Sequence, residues 1–361
     1  MKIALLLFWI IMFSGCIKSD RHIGYDGVMY FNDSEINDKR TLVSRVFDDD
    51  IVGVPTQLDL IDTLLIANDT KTDSIFHFFS IHSGMHLGKF VSKGSGPNDL
   101  ISCSNISVLD SDSLKSFWAF DITRRRFVEY CLEELLQNKV DKRYNKVVDF
   151  KLQNNELGAI NEVFWIGKDS LLCRSFNQYK QRFLILDKNA GVLKEVSNDR
   201  MSIYYDNTNV ILADMFSSKI NIKPDRSRVV VVGRYFDFIE IYDQNGFLLF
   251  NICGPMHNTF MSFDEVASNL RGSLVKSEES RRQYLQVKTT NQNIYLLYSG
   301  KEKQDISHYS YSDIIYVLDW EGNPLKRLKL DRQIADFVID DYKNRLLALS
   351  KDGVIISYDL E

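Results

Sequence analysis

Short apolar stretches separated by polar turns run through most of the chain, and this alternation is typical of β-strands. In four places an apolar strand ends in a short turn that contains glycine, and a second strand leaves that turn. Glycine supplies the positive φ that a short hairpin loop requires. The pattern therefore predicts β-hairpins at residues 79–84, 185–191, 241–246 and 317–322.

A second repeated form, a polar turn followed by an apolar strand, reveals a longer period. Its six copies are spaced by 49 to 66 residues, close to the length of a four-stranded propeller blade. No long amphipathic helix alternates with the strands, which disfavours a parallel α/β fold. The sequence predicts an all-β fold, a six-bladed β-propeller of four-stranded antiparallel blades. The six copies are marked by Asp59, Asp110, Asp169, Asp225, Asn291 and Asp340.

The last repeat is one strand short of a complete blade. Strands are expected at residues 337–339, 346–350 and 354–358, and no fourth strand follows them. An unpaired sheet edge would invite aggregation. Residues 41–47 have strand composition and precede the first complete blade. We therefore expect this N-terminal strand to close the ring as the outer strand of the sixth blade, in a propeller spanning residues 36–361.

The chain begins like an exported protein. An unbroken apolar run from Ile3 to Phe13 suits the core of a signal peptide and is too short to span a bilayer. The following Ser14-Gly15-Cys16 resembles the lipobox of bacterial lipoproteins, in which the Cys thiol receives a diacylglyceryl group. An ordinary cleaved signal with an incidental Cys is the alternative. We expect a signal peptide at residues 1–15, lipid attachment at Cys16 and a polar tether over residues 16–35.

Composition and charge limit the partners. The 361 residues are 45% hydrophobic and 26% charged, with a formal net charge of −5, which indicates a folded protein and argues against nucleic acid as a partner. No CxxC and no paired Cys/His spacing occurs, so neither a metal nor a cofactor is predicted. Cys103, Cys131, Cys173 and Cys253 could form disulfides in three connectivities. However, Cys173 lies in an apolar strand pattern, which favours buried thiols.

Three stretches carry a resemblance to a known family. They are residues 293–301, residues 315–330 with the turn Asp319-Trp320-Glu321-Gly322-Asn323-Pro324, and residues 93–99. In them the chain resembles the TolB-like six-bladed β-propeller lipoproteins of Bacteroidetes, whose members carry Gly-Glu where this chain has Asn98 and Asp99. The resemblance implies a propeller held at the outer membrane by its N-terminal lipid, on the periplasmic side or at the cell surface. It implies no particular biochemical activity.

Strand order divides the connections of a propeller between two faces. Loops between the second and third strands of a blade emerge on the same face as the connections between blades. The long segments of this chain are of these two kinds, so one face is predicted to carry all of them, and we call it the long-loop face. The opposite, tight-turn face carries the short turns. The long segments are residues 93–102, 135–158, 197–219, 252–286 and 299–311.

The long-loop face is also the predicted ligand-binding surface. A base stands at or beside each loop between the second and third strands, where it could draw an anionic ligand such as an acidic glycan. Asp69, Asp121, Asp237 and Asp352 are close in sequence, which favours a solvated rim of mixed charge. The candidate contacts are Arg124, Arg125, Lys180, Arg234 and Lys301, with Lys71 and Lys351 in the equivalent positions of the first and last blades.

Two functions fit these features. No Gly-x-Ser-x-Gly, His-Glu-x-x-His or other catalytic constellation occurs, so no catalytic residue is predicted, and a non-enzymatic binding or scaffold module for an envelope protein or glycan is favoured. The alternative is a hydrolase or lyase with its site in the central channel, which clustered carboxylates and His there would favour. A capping box at Ser262 and Glu265 predicts a short helix in the 252–286 insertion.

Overall fold

The computed structural model describes most of the chain after its first 26 residues. The predicted signal peptide, Cys16, most of the predicted tether and Lys180 lie outside the described residues. The described ranges are 27–48, 53–69, 71–108, 116–137, 146–150, 160–175, 181–197, 216–257, 263–266 and 273–361.

Three short strands and one turn of 3₁₀-helix precede the blades and lie on the outside of the ring. The strands are β1 (Met29–Tyr30), β2 (Asp38–Leu42) and β3 (Arg45–Asp48), and the 3₁₀ turn is Asp33–Glu35. We call residues 28–48 the N-terminal belt.

Blades 1 to 3 are antiparallel sheets of four consecutive strands, named a to d from the channel outwards. Blade 1 contains β4 (Gln57–Ile61), β5 (Leu64–Asn68), β6 (Ser74–Ser80) and β7 (His86–Ser92). Blade 2 contains β8 (Asn105–Val108), β9 (Ser116–Asp121), β10 (Arg126–Cys131) and β11 (Val147–Asp149). Blade 3 contains β12 (Ile160–Trp165), β13 (Ser170–Ser175), β14 (Gln181–Asp187) and β15 (Val192–Ser197).

Blades 4 to 6 follow the same plan, with one long strand shared between the last two. Blade 4 contains β16 (Ser218–Ile222), β17 (Arg228–Gly233), β18 (Ile239–Asp243) and β19 (Leu248–Cys253). A hairpin of β20 (Phe263–Val266) and β21 (Ser273–Lys276) precedes blade 5, which contains β22 (Arg281–Thr289), β23 (Asn293–Glu302), β24 (Ser312–Asp319) and the first half of β25 (Pro324–Asp340). Blade 6 contains the second half of β25, then β26 (Arg345–Ser350) and β27 (Ile355–Asp359).

The predicted all-β fold of four-stranded antiparallel blades is confirmed, and the reason lies in the turns. At the end of β18, Asp243 Oδ1 accepts the N–H groups of Asn245 (2.9 Å) and Phe247 (2.8 Å), while Gly246 adopts a φ of +74°. The Asp319 turn of blade 5 repeats this arrangement with Gly322. An acceptor at the first turn position and a residue free to adopt positive φ therefore fix the hairpins.

Each blade is buried on both faces because a neighbouring blade covers each side. In β17, the four consecutive valines Val229–Val232 are all fully buried; two of them pack towards blade 3 and two towards blade 5. An uninterrupted β-branched run of this kind is what a strand covered on both faces requires. The hydrophobic core is therefore a set of layers between neighbouring blades. The channel at the centre of the ring is lined by the a strands.

The ring is closed by the N-terminal belt, as expected. Strand β3 pairs antiparallel with β27 and forms the outer strand of blade 6. The predicted strand at residues 41–47 is divided, however, because Leu42 belongs to β2, which pairs parallel with the outer strand of blade 5. Upstream, β1 pairs parallel with β19 of blade 4. Contacts with the propeller thus begin before residue 36, the predicted start of the propeller.

Buried side chains explain why the end of the predicted tether of residues 16–35 lies on the propeller. Val28, Phe31 and Ile36 are buried, and the Phe31 N–H donates to Cys253 O (3.1 Å). Phe31 and Ile36 join the core cluster between blades 4 and 5. Apolar residues at these positions make the segment a part of the fold, although its polar composition suggested a linker.

Two sequence predictions about connections are wrong. Residues 135–158 do not form one connection between blades: helix α1 (Leu132–Leu136) follows strand c of blade 2, and β11 then pairs with β10. The segment around α1 therefore lies on the tight-turn face.

The helix predicted from the Ser262 and Glu265 capping box is instead the β20–β21 hairpin, because the backbone of Phe263–Val266 pairs with that of Ser273–Lys276. A second short helix, α2 (Ile306–Tyr309), lies in the b–c loop of blade 5.

Two further features of the fold are the state of its cysteines and the character of its helices. Cys103, Cys131, Cys173 and Cys253 are free thiols, as the strand pattern indicated, and burial raises the pKa of the Cys103 and Cys173 thiols. No helix in the described ranges has the length and apolar character needed to cross a bilayer.

Candidate ligand-binding channel and long-loop face

A cavity of about 760 Å³ occupies the centre of the ring. Every blade contributes its a strand to the wall, and the wall is polar at many points. Cavities of roughly 300–1,000 Å³ are the usual size for small-molecule sites. The channel is therefore large enough to hold a ligand, and its chemistry depends on which side chains of the a strands reach it.

Side chains hold neighbouring a strands together around the channel. Asn105 of blade 2 donates through Nδ2 to Val163 O (2.6 Å) and accepts the Val163 N–H at Oδ1 (3.0 Å). Ser107 Oγ accepts the Trp165 N–H (3.0 Å). Between blades 4 and 5, Asn221 Nδ2 donates to Val287 O (3.0 Å). These bonds satisfy the inner edges of the a strands, which have no further strand to pair with, and they make the wall rigid.

One side of the channel carries an acidic network. Lys288 Nζ of blade 5 lies 3.8 Å from Asp59 Oδ1 of blade 1 and 3.6 Å from Asp336 Oδ1 of blade 6. It also donates to Leu58 O (2.7 Å), while the Leu58 N–H donates to Asp336 Oδ2 (2.8 Å). Two carboxyl groups thus share one ammonium group. Burial raises the pKa of Asp59 to about 7, with Lys288 opposing and Asp336 reinforcing the shift.

The opposite side carries an excess of positive charge. Lys219 lies near the long-loop end of β16 and lines the channel. Burial lowers the pKa of its ammonium group, and Arg234 and Arg174 lower it further, against the opposing effect of Glu162. Glu162 is itself paired, since its Oε2 accepts from Arg174 Nε at 2.7 Å. The channel is therefore electrically asymmetric, acidic towards blades 1 and 6 and basic towards blades 3 to 5.

The predicted ligand contacts occupy different environments. Arg124 is half-buried and donates to Gly96 O (2.8 Å) of the loop entering blade 2, so it supports that loop. Arg125 is half-buried beside it with a φ of +55°. Arg234 directly follows β17 at the long-loop end of blade 4 and is half-buried, whereas the Lys301 side chain is exposed near the end of β23. Their common use by one ligand stays a prediction, and Lys180 lies outside the described residues.

The predicted solvated rim of mixed charge is wrong for three of its four acids. Asp69, Asp121 and Asp237 are all almost completely buried, and only Asp352 is exposed. Each buried carboxylate accepts backbone N–H groups of an incoming or outgoing loop, such as those of Val54 (to Asp69), Ile101 (to Asp121) and Met256 (to Asp237). These acids fasten the b–c loops to the blade connections, so they do not neutralise the bases of the face.

The loop at residues 93–99 is closed by its own acid. Asp99 Oδ2 accepts the Gly96 N–H (2.8 Å), and a Cβ at Gly94 or Gly96 would lie within 2.6 Å of the same oxygen. The two glycines are thus required by the close approach of Asp99. The Gly96 N–H is used inside the loop, which is consistent with a connection between blades.

Sequence reasoning did not assign Asp59, Lys219 or Lys288 to a ligand-binding site, although Asp59 marks the first of the six repeats. Each stands in an a strand in which polar and apolar residues alternate, as in Lys219-Ile220-Asn221-Ile222. Such alternation usually means that the polar side faces bulk solvent. In a propeller the a strand is the innermost strand, so its polar positions can face the channel instead. The signal was present, but it could be interpreted only once each strand had been assigned a place in its blade.

The chain belongs to a family of propellers. The profile described as TolB-like 6-blade propeller-like matches residues 31–342, which covers most of the chain and all six blades in part or whole. The sequence resemblance to TolB-like propellers is confirmed in this respect. The search of curated proteins returned no match.

Solved structures from Bacteroides share the fold. A member of the duf4221 family from Bacteroides vulgatus is 10% identical, with a TM-score of 0.57 and coverage of 89% of this chain and 96% of that chain. A protein from Bacteroides fragilis, described as exported, is 12% identical, with a TM-score of 0.55 and coverage of 91% and 97%. At such low identity these similarities establish the fold alone.

The groups that line the channel determine what it can hold. Among the described residues, no group of three or more His, Cys, Asp or Glu side chains could hold a metal ion, and none of the residues lining the cavity is a His. What the channel offers is a set of fixed polar groups with opposite charges on opposite sides. Such a wall can orient a polar ligand.

Proposed function

We propose that this chain is a lipid-anchored binding module of the cell envelope, which holds its ligand, an envelope protein or glycan, at the long-loop mouth of the propeller channel. The observation that carries the proposal is the preformed channel of about 760 Å³, whose polar groups are fixed by hydrogen bonds between blades. A rigid scaffold with loops and a polar cavity at one face is a common design for binding sites.

The anchoring part of the proposal rests on the N-terminal sequence. The apolar run that ends at Phe13 and the Cys16 that follows it support export and lipidation. The relative from Bacteroides fragilis described as exported is consistent with this localisation. Ile17, rather than Asp, follows Cys16, which fits onward transfer to the outer membrane.

Lipid attachment is tested by a single substitution. Cys16→Ala should abolish labelling by a radioactive fatty acid and move the protein from the membrane to the soluble fraction, because the thiol is the proposed attachment atom. Cys131→Ala is the matched control, since it removes a partly exposed propeller thiol and should leave the labelling unchanged. Persistent labelling of the Cys16→Ala protein would refute the anchor.

The binding face is tested by comparing two sets of four substitutions. Replacing Arg124, Lys180, Arg234 and Lys301 by Ser should reduce capture on an array of envelope glycans and peptides by at least about tenfold, if these bases make the first contacts. The control set removes four bases from the turns and strand ends of the tight-turn face and should leave capture unchanged. The control residues are Lys168, Lys188, Lys194 and Lys343.

Two outcomes would contradict the proposed function. Capture that is lost only from the control set would place the site on the wrong face. No capture by the parent protein would contradict a binding role altogether. The alternative of a hydrolase or lyase draws on one observation, the raised pKa of Asp59 inside the cavity, and would be favoured if array ligands were cleaved.

A further inference from the structure

Three cations meet at the long-loop end of the channel, and we call Lys219, Arg234 and Arg282 the cation cluster. Lys219 pairs with Val232 across β16 and β17, and the Arg234 N–H continues the same register by donating to Ser217 O (3.0 Å). Lys219 and Arg234 therefore leave the same face of the blade 4 sheet as diagonal neighbours. The Gln283 N–H donates to Arg234 O (2.8 Å), which places Arg282 of blade 5 beside them.

Among the described residues, no carboxylate forms an ion pair with the cation cluster. Within the described part of the chain, neither the Lys219 ammonium group nor the Arg234 guanidinium group has a hydrogen bond or an ion pair. Arg282 donates through Nη1 to Ser310 Oγ (3.1 Å), and its Nε is buried without an acceptor. Lys219 lines the cavity, and Arg234 and Arg282 lie at the long-loop ends of the neighbouring strands of blades 4 and 5.

The carboxylates that act on Lys219 are already engaged elsewhere. Glu162 accepts from Arg174 Nε (2.7 Å), and Asp336 lies beside Lys288 Nζ (3.6 Å) and accepts the Leu58 N–H. Neither can neutralise the cluster without breaking an existing contact. Burial lowers the pKa of both Lys219 and Arg234, and neighbouring cations lower it further: Arg234 acts on Lys219, and Arg282 acts on Arg234.

Two other bases of the described blades have carboxylate partners, which the cation cluster lacks among the described residues. Arg182 Nε lies 2.7 Å from Glu240 Oε2, and Lys223 Nζ lies 2.7 Å from Asp225 Oδ2. Lys223 also lines the channel, four residues beyond Lys219 on the same chain segment. Keeping several cations together without partners is unfavourable in a protein interior. An anion from outside would supply the missing partner.

We propose that the cation cluster is an anion-binding site, in which Lys219, Arg234 and Arg282 hold the carboxylate or phosphate group of a small ligand that enters the channel from the long-loop face. The Arg282 guanidinium lies 4.5 Å from the centroid of the Tyr309 ring and 5.9 Å from that of Tyr235. These rings fix the guanidinium in place, which favours the fork-like recognition of a planar or tetrahedral anion. The proposal rests on the proposed binding function and names the chemistry of its ligand.

Calorimetric titration of the full-length protein in detergent tests the site with three probes: glucuronate, glucose 6-phosphate and uncharged glucose. We expect one of the two anions to bind and glucose not to, with an affinity that falls as NaCl is raised. The anion that binds identifies the ligand as a carboxylate or a phosphate. Lys219→Met keeps the methylene stem and should weaken binding at least about tenfold, as expected for the loss of a charge-assisted hydrogen bond.

Lys223→Met is the matched control, because it removes a paired base from the same channel wall. It should change the affinity less than about twofold, in line with the small effect of a distant, already neutralised charge. Equal losses in the two variants, an unchanged affinity in Lys219→Met, or no preference of the parent protein for anions over glucose would each overturn the site. Capture of neutral glycans on the array together with any of these results would leave the binding function standing and remove only the anion site.

Discussion

At the scale of single residues, the buried charge of Asp59 in the channel wall lowers the stability of the folded state. The Asp59 side chain exposes a fifth of its surface, and among the described residues it shares the Lys288 ammonium group with Asp336. Because burial raises its pKa from 3.8 to about 7, the folded state binds a proton more tightly than the unfolded state. The cost to stability is therefore absent below about pH 4 and fully present above about pH 7.

Asp59→Asn should consequently stabilise the protein at alkaline pH. The amide keeps the shape of the side chain and removes its charge, so we expect a gain of about 2 kcal/mol in the free energy of unfolding at pH 8. The gain should shrink steadily as the pH is lowered from 7 to 4. Denaturant unfolding at several pH values measures both the gain and its pH dependence.

Asp169→Asn is the appropriate comparison for this prediction. Asp169 is exposed and pairs with Lys188 at the surface, so its replacement should change the stability by less than about 0.5 kcal/mol at any pH. If the gain in Asp59→Asn were the same at pH 5 and pH 8, the raised pKa would not be its cause.

Residue roles were the hardest feature to predict from the sequence. Asp69, Asp121 and Asp237 stand among polar loop residues, and nothing local distinguishes an acid that accepts buried backbone N–H groups from one that faces water. The N–H donors come from other loops, for example Val54 to Asp69 and Ile101 to Asp121. The role of each acid depends on these N–H donors, which can be identified only when the arrangement of the blades is known.

At the scale of elements, the N-terminal belt contributes more than the single strand expected of it. Phe31 connects it to the core, where its ring lies 5.9 Å from that of Tyr316 and is almost fully buried. Phe31→Ala should therefore lower the free energy of unfolding by about 3–4 kcal/mol, the usual result of a cavity left by a buried Phe. Denaturant unfolding measures this loss, and hydrogen exchange should show faster exchange in β1 and β19.

Val43→Ala provides the control within the same belt. Val43 lies between β2 and β3 and is 72% exposed, so its truncation should cost less than about 0.5 kcal/mol. Similar losses in the two variants would indicate that the belt is held by its backbone alone and that Phe31 has no special part.

The sequence predicted those elements whose signals are local. The Asp243 and Asp319 turns each contain their own acceptor and their own glycine, so hairpins could be placed to within a residue or two. In contrast, β11 is only three residues long and is separated from β10 by α1. A strand so short in a polar stretch gives no periodic signal, and the connection was assigned to the wrong face as a result.

At the scale of the whole molecule, the number and kind of blades followed from the repeat, but the wrapping of the belt did not. Strand β1 pairs with residues more than 200 positions later, and β2 with residues almost 290 positions later. No periodicity can reveal a parallel pairing over such a distance. The edge argument predicted one closing strand because one edge was visibly incomplete; blades 4 and 5 were already complete and gave no such hint.

The residues that make the channel electrically asymmetric are also far apart in the sequence. Its acidic side joins Asp59, Lys288 and Asp336, and its basic side joins Lys219, Arg234 and Arg282, so that each side draws on at least two blades. In a ring, residues at equivalent strand positions meet at the centre whatever their distance in sequence. The repeat thus predicts where a site must be, and the individual substitutions in each copy determine what it binds.

The belt also imposes an order of events on the newly made chain. Arg45 accepts a hydrogen bond from Ser357, 312 residues later, so the first strands to leave the ribosome are among the last to find partners. Contacts this distant in sequence slow folding. Until blade 6 has been synthesised, β3 has no partner strand in β27 and the ring stays open. A chain destined for export, as proposed here, would profit from that delay.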